Sequence, residues 1–172
     1  LAPQESVTET TLLKPTHNFG LAKSFFEQLL MRVHKNSIIF RLSSVFGKGK
    51  YLHPNAIEVM AKEAIGNKLL TIWGKGTRRM QYVFMEDVLK CVLGIADLQP
   101  GIYNLGGNQY DTVMSTGKYI AEYFNVETKN ILDKSEGETL PPMINEKLTQ
   151  ALNGYEFKDH NSALSQYLSN IS

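Results

Sequence analysis

Ser37-Ile38-Ile39-Phe40-Arg41-Leu42-Ser43-Ser44-Val45-Phe46-Gly47-Lys48-Gly49 is the stretch that decides the fold. Its first six residues form a short apolar run broken only by Arg41, the pattern of a buried strand, and Gly47-Lys48-Gly49 punctuates its end. Immediately upstream, Leu21, Phe25, Leu29, Leu30 and Val33 recur at helical spacing, with Asn18 as the N-cap. A helix feeding directly into a buried strand is the rhythm of an α/β protein.

Downstream the alternation continues. Asn55-Ala56-Ile57-Glu58 fits a capping box, Asn at the cap and Glu reaching back to its amide, for a helix expected to stop at Gly66. Leu69 to Trp73 and Gln81 to Phe84 read as strands flanking Gly74-Lys75-Gly76-Thr77. Glu86 and Asp87 then favour a helix start, and Val88, Leu89, Val92 and Ile95 give that helix an apolar face. Pro100-Gly101 precedes a short strand, Ile102 to Leu105, and helices are expected near 114–124, 145–153 and 162–171, with a polar loop over 135–142.

The chain has 172 residues, 42% of them hydrophobic and 20% charged, enough for a core of its own and far from the composition of a disordered chain. Its single cysteine, Cys91, excludes a disulfide framework and a multi-thiolate metal site, as expected of a reduced, cytoplasmic protein. No apolar run approaches the roughly 20 residues of a membrane span. His17, His34, His53 and His160 share no metal-ligand spacing, so no metal site is expected. The net charge of +1 conceals a division: residues 41–80 carry eight basic and two acidic side chains, residues 81–172 six and twelve. The basic block is either a set of solvated faces or a site for a phosphate-bearing ligand.

Three stretches carry a resemblance. Lys14-Pro15-Thr16-His17-Asn18-Phe19-Gly20-Leu21-Ala22-Lys23, followed by Glu27, is similar to a Pro-x-x-x-Tyr-Gly-x-x-Lys-x-x-x-Glu helix; Phe40 to Gly49 is similar to an Arg-x-x-Asn-Val-Tyr-Gly-Pro-Gly strand and turn. The third runs from Leu69 to Val88, and Gly101 to Gly106 adds a Tyr-Asn-x-Gly strand end. Together they resemble the nucleotide-sugar epimerase/dehydratase branch of the extended short-chain dehydrogenase/reductase family. The resemblance implies the latter part of a longer protein, a fragment: residues 1–50 as the end of a Rossmann-like parallel sheet, and residues 51–172 as a small mixed α/β substrate-binding domain. The Gly-rich turn that holds the dinucleotide pyrophosphate in that family is not among these residues, and Gly47-x-Gly49 and Gly74-x-Gly76 read as turn glycines.

The family's chemistry uses a Tyr and a Lys one helical turn apart, the ammonium lowering the phenol's pKa from about 10 so that it can exchange a proton with a sugar hydroxyl. Lys23 matches that Lys, but Phe19 stands in the Tyr position and has no proton to exchange. The family's Ser or Thr lies further upstream than the eighteen residues that precede Phe19. By the same resemblance Lys23 and Val45 border NAD or NADP in the parent protein, with no cofactor expected on this chain alone. Ser44 (where the family has Asn), Leu69, Thr71, Arg78 and Arg79 border a nucleoside diphosphate sugar, Met80 standing where an Arg is usual. Arg78 and Arg79, near Lys48, Lys50 and Lys75, either contact a diphosphate or face water.

Trp73, Tyr82 and Phe84 read as core aromatics in preference to a nucleobase platform. The 18–33 helix offers Phe25, Phe26, Leu29 and Leu30 to a second copy, since family members commonly dimerise through it. The expected function is nucleotide-sugar binding by a chain that cannot turn over alone. The alternative is a non-catalytic relative, motivated by Phe19. RNA binding through the basic block is the least favoured, because that block lacks interleaved aromatics outside 75–82.

Overall fold

A computed structural model describes residues 6–49 and 53–171. Lys50 and the expected domain boundary at 50–51 lie outside the described residues. In chain order the elements are α1 (Asn18–Val33), β1 (Ile38–Leu42), β2 (Ser44–Phe46), α2 (Ala56–Asn67), β3 (Leu69–Trp73), β4 (Arg79–Phe84) and α3 (Met85–Leu93). A 3-10 turn at Gly94–Asp97 leads to β5 (Gly101–Leu105), β6 (Tyr110–Thr112), α4 (Val113–Phe124), β7 (Glu127–Ile131), α5 (Glu146–Ala151) and α6 (His160–Ser169).

The expected α/β alternation is present, and three of the four strand pairings are parallel. β1 runs beside β5 from Ile38 opposite Gly101 to Leu42 opposite Leu105. β2 runs beside β4, Ser44 opposite Tyr82, and β3 beside β7, Leu69 opposite Glu127. Only β4 and β6 are antiparallel. Parallel neighbours need long crossovers, which here are supplied by helices.

Two buried clusters hold these pieces. The larger packs Phe46 against the rings of Tyr82, Phe84, His160 and Tyr167, and adds Ile57, Met60 and Ala61 from α2, Leu70 and Ile72 from β3, Ile120 from α4 and Leu164 and Leu168 from α6. The smaller gathers Val83, Cys91, Leu98, Tyr103, Leu105, Leu148 and Phe157. At Gly107 a Cβ would collide with the Tyr82 carbonyl oxygen, so only glycine lets β4 and the 106–108 turn approach this closely.

The structure corrects several local expectations. His17, not Asn18, is the N-cap of α1, its Nδ1 accepting from the Gly20 amide at 3.2 Å. α2 continues through Gly66 and Asn67 and ends on Lys68 in the left-handed conformation, φ 55°. α3 buries Asp87 and Cys91, while Leu89, Val92 and Ile95 of the expected apolar face are exposed. Asp87 belongs inside because the Tyr155 hydroxyl and the Lys158 amide donate to its two oxygens, at 2.6 and 3.2 Å. β1 is only half-buried: among the described residues β5 is its one neighbour, and Leu42 remains exposed. β6 and β7 were not expected at all.

Candidate functional site

The candidate site is a cleft of about 260 Å³ between α2, β3 and the segment 132–140, walled by Asn55, Val59, Thr71, Trp73, Arg78 and Glu136 among others. The α2 capping box builds one side. Asn55 Oδ1 accepts from the Ile57 and Glu58 amides at 2.9 and 3.3 Å, and Glu58 Oε2 accepts from the Asn55 amide at 2.8 Å. Asn55 Nδ2 also donates to the Val45 carbonyl at 2.7 Å, so the same residue fixes the start of α2 to β2.

β3 supplies the floor. Its alternation sends Leu70 and Ile72 into the core and leaves Thr71 and Trp73 on the other face. Trp73 is 56% exposed, with Lys134 Nζ 5.6 Å from its ring centroid, which corrects the expectation that it is a core aromatic; Tyr82 and Phe84 are in the core as expected. Thr71 spends both its amide and its hydroxyl on Glu63 Oε2, at 2.8 and 2.7 Å.

The β3–β4 turn forms the rim. Glu136 accepts from the amides of Lys75 at 2.7 Å and Arg78 at 2.6 Å, and from the Thr77 hydroxyl at 3.3 and 3.2 Å on its two oxygens. The Arg78 amide, helped by the Lys75 amide and the Thr77 hydroxyl, holds this carboxylate below its ordinary pKa. The Arg78 guanidinium donates in turn to the carbonyls of Glu138 at 2.8 Å and Glu136 at 3.2 Å. Arg79 faces elsewhere: its Nη2 donates to the Tyr110 carbonyl at 2.7 Å and its guanidinium stacks 4.3 Å above the Tyr110 ring.

Of the residues singled out from sequence, the cleft brings together Thr71 and Arg78, with Val45 tied to it through Asn55. Arg79 and Leu69, the half-buried first residue of β3, do not line it. Ser44 lies half-buried in β2 opposite Tyr82. Phe19 and Lys23 share one face of α1 away from the cleft lining, the Lys23 ammonium 5.3 Å from the Phe19 ring centroid. α1 is held to β1 by a bidentate ion pair in which Arg41 Nε and Nη2 donate to Glu27 Oε2 and Oε1 at 2.9 and 2.7 Å.

A second cleft of about 500 Å³, which the sequence did not signal, lies between the 106–110 turn and α5, walled by Gln81, Asn108, Asn145 and Thr149 among others. Its amides are already paired: Gln81 Nε2 donates to the Gly107 and Met143 carbonyls at 2.6 and 3.0 Å, and Asn145 bonds both backbone groups of Gly106. His160 is stacked on Tyr82, and burial lowers its pKa. Among the described residues no three His, Cys, Asp or Glu side chains come close enough to hold a metal ion, and no helix is long and apolar enough to cross a membrane.

Comparison with known proteins supplies the context. The chain is 29% identical over 145 residues to YtcB of Bacillus subtilis strain 168, an uncharacterised UDP-glucose epimerase, covering 78% of this chain and 45% of that protein. Among solved structures it superposes with a TM-score of 0.84 at 18% identity on dTDP-glucose 4,6-dehydratase of Bacillus anthracis in complex with NAD, covering 98% of this chain and 56% of that one. UDP-glucuronic acid 4-epimerase of Bacillus cereus, in complex with UDP-glucuronic acid and NAD, gives 0.82 at 18% identity over 99% and 58%. The chain thus spans about half the length of these relatives. The model of the NAD dependent epimerase/dehydratase family matches residues 1–106, and the chain belongs to that family.

Proposed function

We propose that this chain is the nucleotide-sugar-binding part of an NAD(P)-dependent sugar epimerase or dehydratase, and that it does not turn substrate over by itself. The observation that carries the binding reading is the cleft of Thr71, Trp73 and Arg78. An exposed indole, a strand face and a guanidinium converge there, the combination that suits a base, its ribose and a charged phosphate. UDP-sugars and dTDP-sugars are the natural candidates, since the relatives named above act on or bind them.

The proposed division keeps residues 1–50 as the end of a dinucleotide-binding half and residues 51–172 as the substrate domain, with Lys23 and Val45 at the cofactor's edge and Ser44 and Leu69 bordering the substrate. NAD or NADP, when held by the whole protein, supplies the hydride acceptor. The residues present fit only its margin, for among the described residues no Gly-x-Gly turn opens a helix. Phe19 supports the inactive reading, because the Lys23 ammonium faces a phenyl ring and not a phenol it could tune. For the same reason a binding-only relative remains the second reading. Arg79 is engaged with the carbonyl and ring of Tyr110, which speaks against an open RNA surface. The exposed apolar face of α1 supports self-association through 18–33.

Isothermal titration with UDP-glucose, UDP-glucuronic acid and dTDP-glucose tests the binding reading. One of them should bind, and Trp73→Ala should weaken it about tenfold, the usual worth of one base-to-aromatic stack. No binding by any of the three, or unchanged affinity in Trp73→Ala, would remove the assignment.

A further inference from the structure

We propose that the Lys75–Arg78 turn is a seat for a phosphate group and that Glu136 fills this seat from within, making segment 132–140 an internal competitor at the mouth of the cleft. The seat is built from backbone. Gly74 and Gly76 adopt φ of 62° and 70°, left-handed conformations on either side of Lys75 that shape the tight 74–78 turn. The Lys75 amide, the Arg78 amide and the Thr77 hydroxyl then converge on a single carboxylate. A Cβ on Gly74 would run into the Glu136 side chain, so the turn leaves open the volume that this anion occupies.

Two donor amides, a hydroxyl and an adjacent guanidinium are what a phosphate group's oxygens require. Here a carboxylate takes them, and the consequences both work against a charged ligand. Glu136 brings a negative charge into the lining of the cleft that also contains Trp73 and Thr71. The carbonyls of Glu138 and Glu136 occupy Arg78 Nε and Nη1, two donors that would otherwise be open to phosphate oxygens.

The segment is anchored separately at its far end, where the Arg79 amide donates to Thr139 Oγ1 at 3.1 Å and the Tyr110 hydroxyl to the Leu140 carbonyl at 2.8 Å. Residues 132–138 can therefore leave the seat while 139–140 stay attached. Glu136 is only half-buried, so its carboxylate regains water on leaving and a ligand phosphate can replace it without stranding a buried charge. The seat itself does not depend on the nucleotide-sugar reading; the identity of the molecule carrying the phosphate does.

Hydrogen exchange by mass spectrometry with inorganic pyrophosphate, together with titration of UDP and uridine, tests this in the unmodified chain and in Glu136→Gln. Pyrophosphate should speed exchange over 132–138 of the unmodified chain. Glu136→Gln should speed it without any ligand, tighten UDP about fivefold, the worth of one neighbouring like charge in water, and leave uridine unchanged. Exchange over 132–138 that ignores pyrophosphate overturns the proposal, as does a Glu136→Gln chain that binds UDP no more tightly. Pyrophosphate release of the segment without binding of any nucleotide keeps the seat and discards the nucleotide-sugar reading. Nucleotide binding with the segment unmoved does the reverse. The unmodified chain alone decides the matter if Glu136→Gln does not fold.

Discussion

α1 and α2 are both amphipathic helices, yet α2 buries Ile57, Glu58, Met60, Ala61 and Ala64, and α1 buries nothing. The difference is supply, not sequence pattern. α2 lies against β3 and α4, whose inward side chains complete the larger core. α1 meets β1 through the Glu27–Arg41 pair but leaves Phe19, Phe25, Phe26 and Val33 each more than half exposed. α3 repeats the lesson on a smaller scale: Cys91 goes inside while Leu93 stays outside. A run of apolar residues at helical spacing states that a helix needs a partner surface, and only the rest of the chain decides whether that surface is present.

The sharpest way to break the contrast is to truncate one ring on each side of it. Phe46 touches four other rings and is almost fully enclosed, so Phe46→Ala should cost about 3–5 kcal/mol. Phe25→Ala should stay within about 0.5 kcal/mol, because no cavity forms where nothing covers the ring. Urea unfolding followed by circular dichroism measures both, and equal losses would mean that α1 is packed by this chain after all.

Alkaline titration reads the two buried clusters by charge. Burial pushes the Tyr82 phenol up to about 12 and the Cys91 thiol up to about 11, so both stay protonated in the folded chain at pH values where the unfolded chain has released them. The unfolded state then binds fewer protons than the native one, and stability falls as pH rises through the window from about 9 to 12, by about 2 kcal/mol per group at its top. Among the described residues the Tyr82 hydroxyl has no hydrogen-bond partner. Tyr82→Phe should therefore keep its stability at neutral pH and lose part of this alkaline decline. An unchanged alkaline slope would place the titrating group elsewhere.

The helix starts sharpen the comparison further. Asn55 caps α2, whose burial the core depends on, and it holds Val45 as well, so Asn55→Ala should cost about 1–2 kcal/mol. His17 caps α1, which the core does not use, and His17→Ala should cost a few tenths of that on global unfolding while fraying the helix locally. Thermal unfolding reads the first effect and amide exchange in 18–22 reads the second.

What could be read from sequence follows the same line. The capping box at Asn55, the limits of β3 and the α/β alternation are local, and each was legible. The α3 face was not, because Asp87 is buried by two donors that come from residues near 155–158. β7 was missed because four of its five residues, Glu127 to Asn130, are exposed and polar, so no alternation marks it. Thr71 and Arg78, expected near a substrate through a resemblance, line the cleft, but the outward turn of Trp73 depends on which face of β3 the core claims. The seat of Glu136 depends on residues about 60 positions apart, a distance no local pattern spans.

The smallest effect on stability carries the largest consequence for assembly. Phe25 and Phe26 meet edge to face, ring centroids 5.7 Å apart, on the uncovered face of α1. Replacing both by Ser removes apolar surface that the folded chain leaves mostly exposed, so the unfolding free energy should change by no more than about 0.5 kcal/mol. If a second copy covers this face, the same change removes the centre of the contact, and fully enclosed aromatic anchors carry most of an interface's energy. Light scattering after size-exclusion chromatography should then find the unmodified chain at twice the mass of the double variant. Equal masses, with stability unchanged, would show that α1 is left open by this chain and by its copies alike, and would end the proposal of self-association through residues 18–33.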